Sequence, residues 1–152
     1  MKKPIYIRDG SRFRKIDYYT GMFWNLDGSF TDVEKDNSIG IVVSQDGNEL
    51  TIASLKLSTF KMTWDEAKEH CNSFSSGLPG VRLCYLPTRS ELLSVVDNFG
   101  GYLYSNNSCE WTSTEHSSFY AWALDWYTSE GGLLYDYKGL KNYVRKFFKV
   151  EV

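Results

Sequence analysis

The stretch that most constrains the fold of this chain is an apolar run that meets a proline and then opens a helix. The run covers residues 82–86, and Pro87 follows it. Because a proline disfavours the helical conformation at the residue before it, the helix must begin after Pro87. Thr88 and Glu91 then form a T-x-x-E capping box, in which each side chain accepts a hydrogen bond from the backbone amide of the other residue. A strand that leads into a helix is therefore predicted here.

Apolar residues recur at helical spacing from Leu92 to Phe99, and Gly100-Gly101 predicts the end of this helix. A second capping box, Thr63 with Glu66, predicts an earlier helix. Four residues spaced along one face of that earlier helix are predicted to be buried: Trp64, Ala67, Cys71 and Phe74.

Short apolar or alternating runs, separated by turn residues, predict strands elsewhere in the chain. They cover residues 39–43, 49–57, 110–115, 119–127, 133–137 and 143–152. Two helices followed by a succession of short strands predict the α+β class.

The first residues predict a β-hairpin of their own. Two short alternating runs lie within residues 4–16, and Asp9-Gly10 between them is a strong turn signal. We expect residues 1–17 to be an attachment segment and residues 18–152 to form the main domain. The full length of 152 residues suits one domain with a substantial core.

Composition excludes several classes of protein. The net charge of -2 lacks the basic excess that nucleic-acid binding needs. No apolar run is long enough to insert into a membrane. The opening residues lack the apolar core of a signal peptide, so we expect synthesis in a cytoplasm. Aromatic residues make up 16% of the chain, which favours a β-rich core and leaves some rings for a recognition surface.

Five motifs occur in a characteristic order. They are W-x-x-A-x-x-x-C at residues 64–71, R-L-C-Y-L-P-T-x-x-E-L at 82–92, E-W-T-S-T-E at 110–115, Y-A-W at 120–122, and V-R at 144–145. In this order the chain resembles the bacterial C-type-lectin-like domains of the Lcl C-terminal type. The resemblance spans about residues 20–152. It implies a C-type-lectin-like fold, with two helices, a twisted antiparallel sheet and long loops, to which the N-terminal hairpin is added.

No set of residues predicts catalysis. The chain has two histidines and lacks the G-x-S-x-G, P-loop and H-E-x-x-H motifs. Formylglycine-generating enzymes share the lectin-like fold and depend on active-site cysteines near their C-terminal part, where this chain has only Cys109. Calcium-dependent lectins use an E-P-N or Q-P-D loop and a W-N-D strand, and neither occurs here. We therefore predict no metal site and no cofactor.

The cysteines predict free thiols. Cys71, Cys84 and Cys109 are odd in number and show no C-x-x-C spacing. Because related extracellular domains carry disulfides, the resemblance leaves a disulfide between Cys71 and Cys84 open.

Surface recognition is the remaining function. In the wider fold family, which includes phage receptor-binding and retroelement-diversified proteins, partners meet the exposed face of the C-terminal strands and loops. By that likeness the predicted ligand-binding residues are Asn106, Asn107, His116, Asp125, Trp126, Tyr127, Tyr135 and Tyr137, with Tyr120 as a further candidate. Strand alternation within residues 119–127 predicts that Trp122 and Leu124 face the core, which turns Asp125 and Tyr127 outward.

We therefore expect a non-enzymatic binding or structural module. Residues 5–16 resemble the openings of some phage structural proteins. The predicted setting is a phage virion, assembled in the host cytoplasm, with the chain as a fibre or decoration protein. Its predicted partners are a glycan or protein of the host surface and neighbouring virion subunits, in a homo-oligomer such as a fibre trimer. Two alternatives stay open: an adhesin domain on a bacterial cell surface, and a relative of the formylglycine-generating enzymes with a reactive Cys84 or Cys109.

Overall fold

The computed structural model describes residues 5–9, 12–16, 20–105, 107–126 and 132–152, the first two of these as strands without side-chain detail. The strands are β1 (Ile5–Asp9), β2 (Arg12–Ile16), β3 (Phe23–Asn25), β4 (Phe30–Thr31), β5 (Ser38–Asp46), β6 (Glu49–Ser54), β7 (Val81–Tyr85), β8 (Cys109–Glu115), β9 (Tyr120–Asp125), β10 (Gly132–Tyr137) and β11 (Phe147–Glu151). The helices are α1 (Trp64–Asn72) and α2 (Arg89–Leu103). The chain is an α+β protein, as its sequence predicts.

Both helices begin where the capping boxes place them. Before α2, the Glu91 amide donates to Thr88 Oγ1 at 3.2 Å and the Thr88 amide donates to Glu91 Oε1 at 3.1 Å. The same reciprocal pair, Thr63 with Glu66, opens α1. A short-range pattern is enough to fix these helix starts because every partner lies within one turn.

The predicted end of α2 is wrong. The helix continues through Gly100 and Gly101 to Leu103, and neither glycine has a positive φ. Leu103 is 1% exposed and belongs to the core. Burial of this side chain outweighs the low helix propensity of the two glycines. In α1 the helix ends at Asn72, so Phe74 lies beyond it rather than on its buried face.

The strands form three sheets in which all pairings between strands are antiparallel. The largest has six strands in the order β4-β3-β5-β6-β11-β7, and the second has three in the order β10-β9-β8. The last strand of the chain thus lies between β6 and β7. It starts at Phe147 rather than at residue 143, because Tyr143 forms a parallel bridge to Glu110 of β8 instead.

The core occupies both faces of the six-stranded sheet. Neighbouring residues of one strand enter opposite halves: Trp24 packs in the half that contains α1, while Phe23 packs in the half that contains α2. Phe148 and Phe147 divide in the same way on β11. This is the alternation expected of strands whose two faces are both covered.

The hairpin predicted for residues 4–16 is confirmed. Strands β1 and β2 form a two-stranded sheet in which Ile5 is opposite Ile16 and Asp9 is opposite Arg12. Its role as an attachment segment, and the division of the chain at residue 17, stay predictions. Neither helix of the described residues is long and apolar enough to cross a bilayer.

Candidate functional site: an aromatic surface on the three-stranded sheet

Five aromatic side chains lie together on one face of the three-stranded sheet. Opposite residues of an antiparallel pair project to the same face, and the register places Tyr135 opposite Trp122 and Tyr137 opposite Tyr120. His116 joins them from the turn that follows β8. We call the group of His116, Tyr120, Trp122, Tyr135 and Tyr137 the aromatic surface.

The rings of the aromatic surface hold one another in place. The imidazole of His116 stacks on Tyr135 with 4.0 Å between ring centroids and 13° between ring planes. Trp122 meets Tyr135 edge to face at 5.6 Å, and Tyr120 meets both Tyr135 and Tyr137 at 5.7 and 6.3 Å. Stacked and edge-to-face pairs at these separations are favourable. The rings are therefore already arranged before any ligand arrives.

The turn that carries His116 is also fixed by hydrogen bonds. The amides of His116 and Ser117 donate to the carbonyl of Tyr120 at 2.9 and 3.0 Å. The hydroxyl oxygen of Ser117 accepts from the amides of Phe119 and Tyr120. The imidazole therefore rests on a tight turn held against the start of β9.

Much of this aromatic area faces solvent. The exposed fractions are 40% for Tyr120, 50% for Tyr135 and 51% for Tyr137, and Phe119 beside them is 67% exposed. Trp122 is half-buried beneath them. Single exposed apolar residues are ordinary, but contiguous exposed apolar area marks an interaction site on many soluble proteins.

The charged groups around the aromatic surface are already paired. The guanidinium of Arg89, the first residue of α2, lies over the Trp122 ring at 4.6 Å from its centroid. Lys138 forms an ion pair with Glu115. The surface is thus aromatic at its centre, with partnered charges at its rim.

The structure brings together only part of the predicted site. His116, Tyr135 and Tyr137, with the further candidate Tyr120, form the aromatic surface. Asn107 is exposed, but it precedes β8 while His116 follows it, so the two lie at opposite ends of that strand. Asn106 and Tyr127 lie outside the described residues.

Trp126, a predicted ligand-binding residue, is buried in the structure. Its ring is 0% exposed, and its Nε1 donates to Glu110 Oε2 at 2.8 Å. Asp125 is half-buried and pairs with Cys109 and Gly132 at the end of the sheet remote from Tyr120. Neither residue contributes to the aromatic surface.

The assignment of Trp122 to the core is also wrong in part. On β9, Ala121 and Ala123 are fully buried and face the core. Tyr120 and Trp122 lie on the opposite face of the strand, within the aromatic surface. On this face Arg89 lies over Trp122, and at the far end Leu124 packs in the same core cluster as α2. Strand alternation correctly predicts that Trp122 shares a face with Tyr120, whereas the contact with Arg89 has no signal in the sequence.

A buried ion pair lies in the interior beside the three-stranded sheet. The guanidinium of Arg145 contacts the carboxylate of Glu110, and both residues are at most 1% exposed. Arg145 Nη1 and Nη2 also donate to the carbonyls of Ser54 at the end of β6 and Leu103 at the end of α2, both at 2.8 Å. The pair therefore joins β8, β6 and α2 at one point.

The three cysteines are free thiols, as predicted. Cys71 and Cys84 are buried and share a thiol–thiol hydrogen bond, which raises the pKa of Cys71 and lowers that of Cys84. Burial, with the nearby charges of Asp136 and Asp125, raises the pKa of Cys109 to about 12. A thiol with so high a pKa is protonated at neutral pH and is a poor nucleophile.

The described part of the chain contains no arrangement of side chains suited to holding a metal ion. No cluster of three or more His, Cys, Asp or Glu residues there could hold a metal ion. Comparison with models of known protein families and with functionally characterised proteins gives no match for this sequence.

Proposed function

We propose that this chain is a non-enzymatic binding module that attaches to a host-surface ligand through its aromatic surface. The observation that carries the proposal is the exposure of three tyrosine rings, Tyr120, Tyr135 and Tyr137, in one pre-arranged cluster. Tyrosine offers a large apolar face at a low cost in conformational entropy, which suits it to recognition.

A glycan is the ligand class that we propose first. The ring faces suit the apolar C–H faces of sugar rings, and the tyrosine hydroxyls and the imidazole of His116 offer hydrogen bonds to sugar hydroxyls. The charges of Lys138 and Glu115 beside the aromatic surface compensate each other, which favours a neutral ligand. Burying one ring contributes roughly 1.5–3 kcal/mol before the costs of association. A single site is therefore expected to bind with a Kd of about 0.1–1 mM, and an oligomer would strengthen attachment through avidity.

The biological setting that we propose is a virion. We also propose that the α+β fold is a C-type-lectin-like domain. The order of the five motifs and the opening residues 5–16 support this setting. A bacterial surface adhesin would use the aromatic surface in the same way. The enzyme alternative is less well supported, because the pKa of Cys109 is raised, and because Cys84, whose pKa is lowered, is buried and hydrogen-bonded to Cys71.

A glycan array probed with the purified chain tests the proposal. We expect one group of related neutral glycans to bind. Tyr135→Ala and Tyr137→Ala should each weaken binding about tenfold or more, as expected when an exposed recognition ring is removed. The matched control is Phe60→Ala, because Phe60 is a 77% exposed aromatic residue that does not belong to the aromatic surface. Glycan binding that survives both tyrosine substitutions would contradict the assignment of the site, and the absence of glycan binding would reject this ligand class.

The setting has its own test. Mass spectrometry of particles purified from the source should detect the chain, and light scattering should give the mass of a symmetric oligomer. A monomer that is absent from every particle would reject the virion setting while leaving the glycan test in force.

A further inference from the structure

A separate apolar pocket opens on the six-stranded sheet. It has a volume of about 210 Å³, and none of its lining residues belongs to the aromatic surface. Its lining residues come from β3, β5, β6 and β11, from the segments that follow β3 and α1, and from the position just before β11. They include Trp24, Ser54, Phe74, Ser76, Lys146 and Phe148. We call it the Lys146 pocket.

Aromatic rings supply much of the wall of the Lys146 pocket. Phe148 meets Trp24 at 5.3 Å and Phe74 at 5.8 Å between ring centroids, so the three rings form a continuous row. Trp24 and Phe148 are buried, whereas Phe74 is partly exposed at the mouth. Phe74 thus leaves apolar surface accessible at the mouth of the pocket, next to Lys146.

The single charged group that lines the pocket is the ammonium of Lys146, which has no counter-ion among the described residues. The ammonium of Lys146 lies over the Phe74 ring, 4.6 Å from its centroid. Among the described residues, no carboxylate forms an ion pair with Lys146. The pKa of His70 is lowered mainly by burial and, in second place, by the positive charge of Lys146.

A second polar group at the pocket is also available. The hydroxyl oxygen of Ser76 accepts from the amide of Leu78 at 3.1 Å, and its hydrogen has no acceptor among the described residues. The other serine, Ser54, already donates to the carbonyl of Lys56. The pocket therefore offers one ammonium, one free hydroxyl donor and an aromatic wall.

We propose that the Lys146 pocket binds a small aromatic monocarboxylate. The ring of the ligand packs against Trp24, Phe74 and Phe148, and its carboxylate pairs with the ammonium of Lys146. A pocket of about 210 Å³ lies below the range of roughly 300–1,000 Å³ that accepts drug-sized molecules, so a ligand of one or two fused rings fits it. The charge-assisted contact at the mouth is what separates such a ligand from a neutral apolar one.

The test compares benzoate with benzamide, which has the same shape and no charge, and extends to 2-naphthoate and 2-naphthamide. Ligand-observed NMR titration of the whole chain measures the affinities. We expect a Kd of about 0.1–1 mM for the carboxylates, within the limit that ligand size allows. The amides should bind about tenfold more weakly.

Two substitutions test the role of the charge. Lys146→Met keeps an unbranched apolar side chain and should abolish the preference for the carboxylate. Leu26→Glu puts a negative charge at the rim, where Leu26 is 62% exposed, and should weaken benzoate binding about tenfold with little effect on folding.

Two further variants serve as controls. Lys61→Met removes another lysine that lies over an aromatic ring, that of Tyr143, and should leave binding unchanged. Tyr135→Ala should also leave benzoate binding unchanged, which separates this pocket from the aromatic surface. Equal affinity for acid and amide, unchanged benzoate binding by the Lys146→Met protein, or no binding up to about 10 mM would each overturn the proposal.

Discussion

Both carboxylate oxygens of Glu110 accept hydrogen bonds from the guanidinium of Arg145, from Nε at 3.0 Å and from Nη2 at 3.1 Å. The remaining donors of the guanidinium go to backbone carbonyls at the ends of β6 and α2, and the indole of Trp126 donates to the same carboxylate. Each buried charge is thus matched by a partner, which is the condition under which an ion pair can persist in a protein interior.

Removing one member of this ion pair should greatly reduce the stability of the fold. We expect Arg145→Met or Glu110→Gln to lower the free energy of unfolding by about 3–5 kcal/mol, because each leaves an uncompensated buried group. Urea denaturation measures the change. The double variant should lose less than the sum of the two single losses.

The exposed pair of Lys68 with Asp65 is the control for that experiment. Asp65→Asn should change stability by less than about 1 kcal/mol, because exposed ion pairs contribute little. An effect at Glu110 no larger than that at Asp65 would show that the buried network does not stabilise the fold as inferred.

Two residues in the last turn of α2 give opposite predictions. Leu103→Ala should cost about 2–5 kcal/mol, because it empties space in the core next to the last turn. Gly101→Ala should stabilise by about 0.5–1 kcal/mol, because the position is helical and an added Cβ meets no atom within 4 Å. Thermal unfolding of the two variants measures whether each change in stability is a loss or a gain. Destabilisation by Gly101→Ala would indicate that α2 ends before this residue.

The stack of His116 on Tyr135 should be measurable as a coupling energy. A double-mutant cycle with His116→Ala and Tyr135→Ala is expected to give about 0.5–1.5 kcal/mol in the free energy of unfolding. As a control, a cycle with His116→Ala and Tyr102→Ala should give a coupling energy near zero, because Tyr102 contacts Phe23 and does not belong to the aromatic surface. Additivity of His116 and Tyr135 would mean that the rings are not pre-arranged in solution.

The raised pKa of Cys109 should make the protein less stable at alkaline pH. Its pKa rises from 9.0 to about 12 on folding, mainly through burial. Between these two values the unfolded chain has released its proton while the folded chain still holds it, so stability falls as the pH rises. Comparison of the parent chain with Cys109→Ser by denaturation from pH 8 to 11 isolates this contribution. The parent should lose more stability over that range than the variant, and parallel curves would contradict the raised pKa.

Local chemistry made part of the fold predictable. The two capping boxes and the turn of the N-terminal hairpin each act within a few residues, so their sequence patterns placed the helix starts and the paired strands β1 and β2 correctly. The strand around residues 120–125 was also recognisable, because alternation of side chains is a property of the single strand. By contrast, His116, Tyr135 and Tyr137 of the aromatic surface entered the predicted site through the resemblance to the wider fold family, in which partners meet the C-terminal strands and loops.

Contacts between distant parts of the chain decided the rest. The sequence by itself determined where the helices start, where most of the strands form and that the chain is α+β, but it did not indicate β3 or β4. Only the tertiary structure buried Trp126 against Glu110, joined Glu110 to Arg145, set Arg89 over Trp122 and carried α2 to Leu103. The reason is physical: caps and turns are satisfied by neighbours in sequence. Burial and ion pairing instead depend on which strands lie side by side, and the gain in free energy from such contacts exceeds local propensities of about 1 kcal/mol per residue.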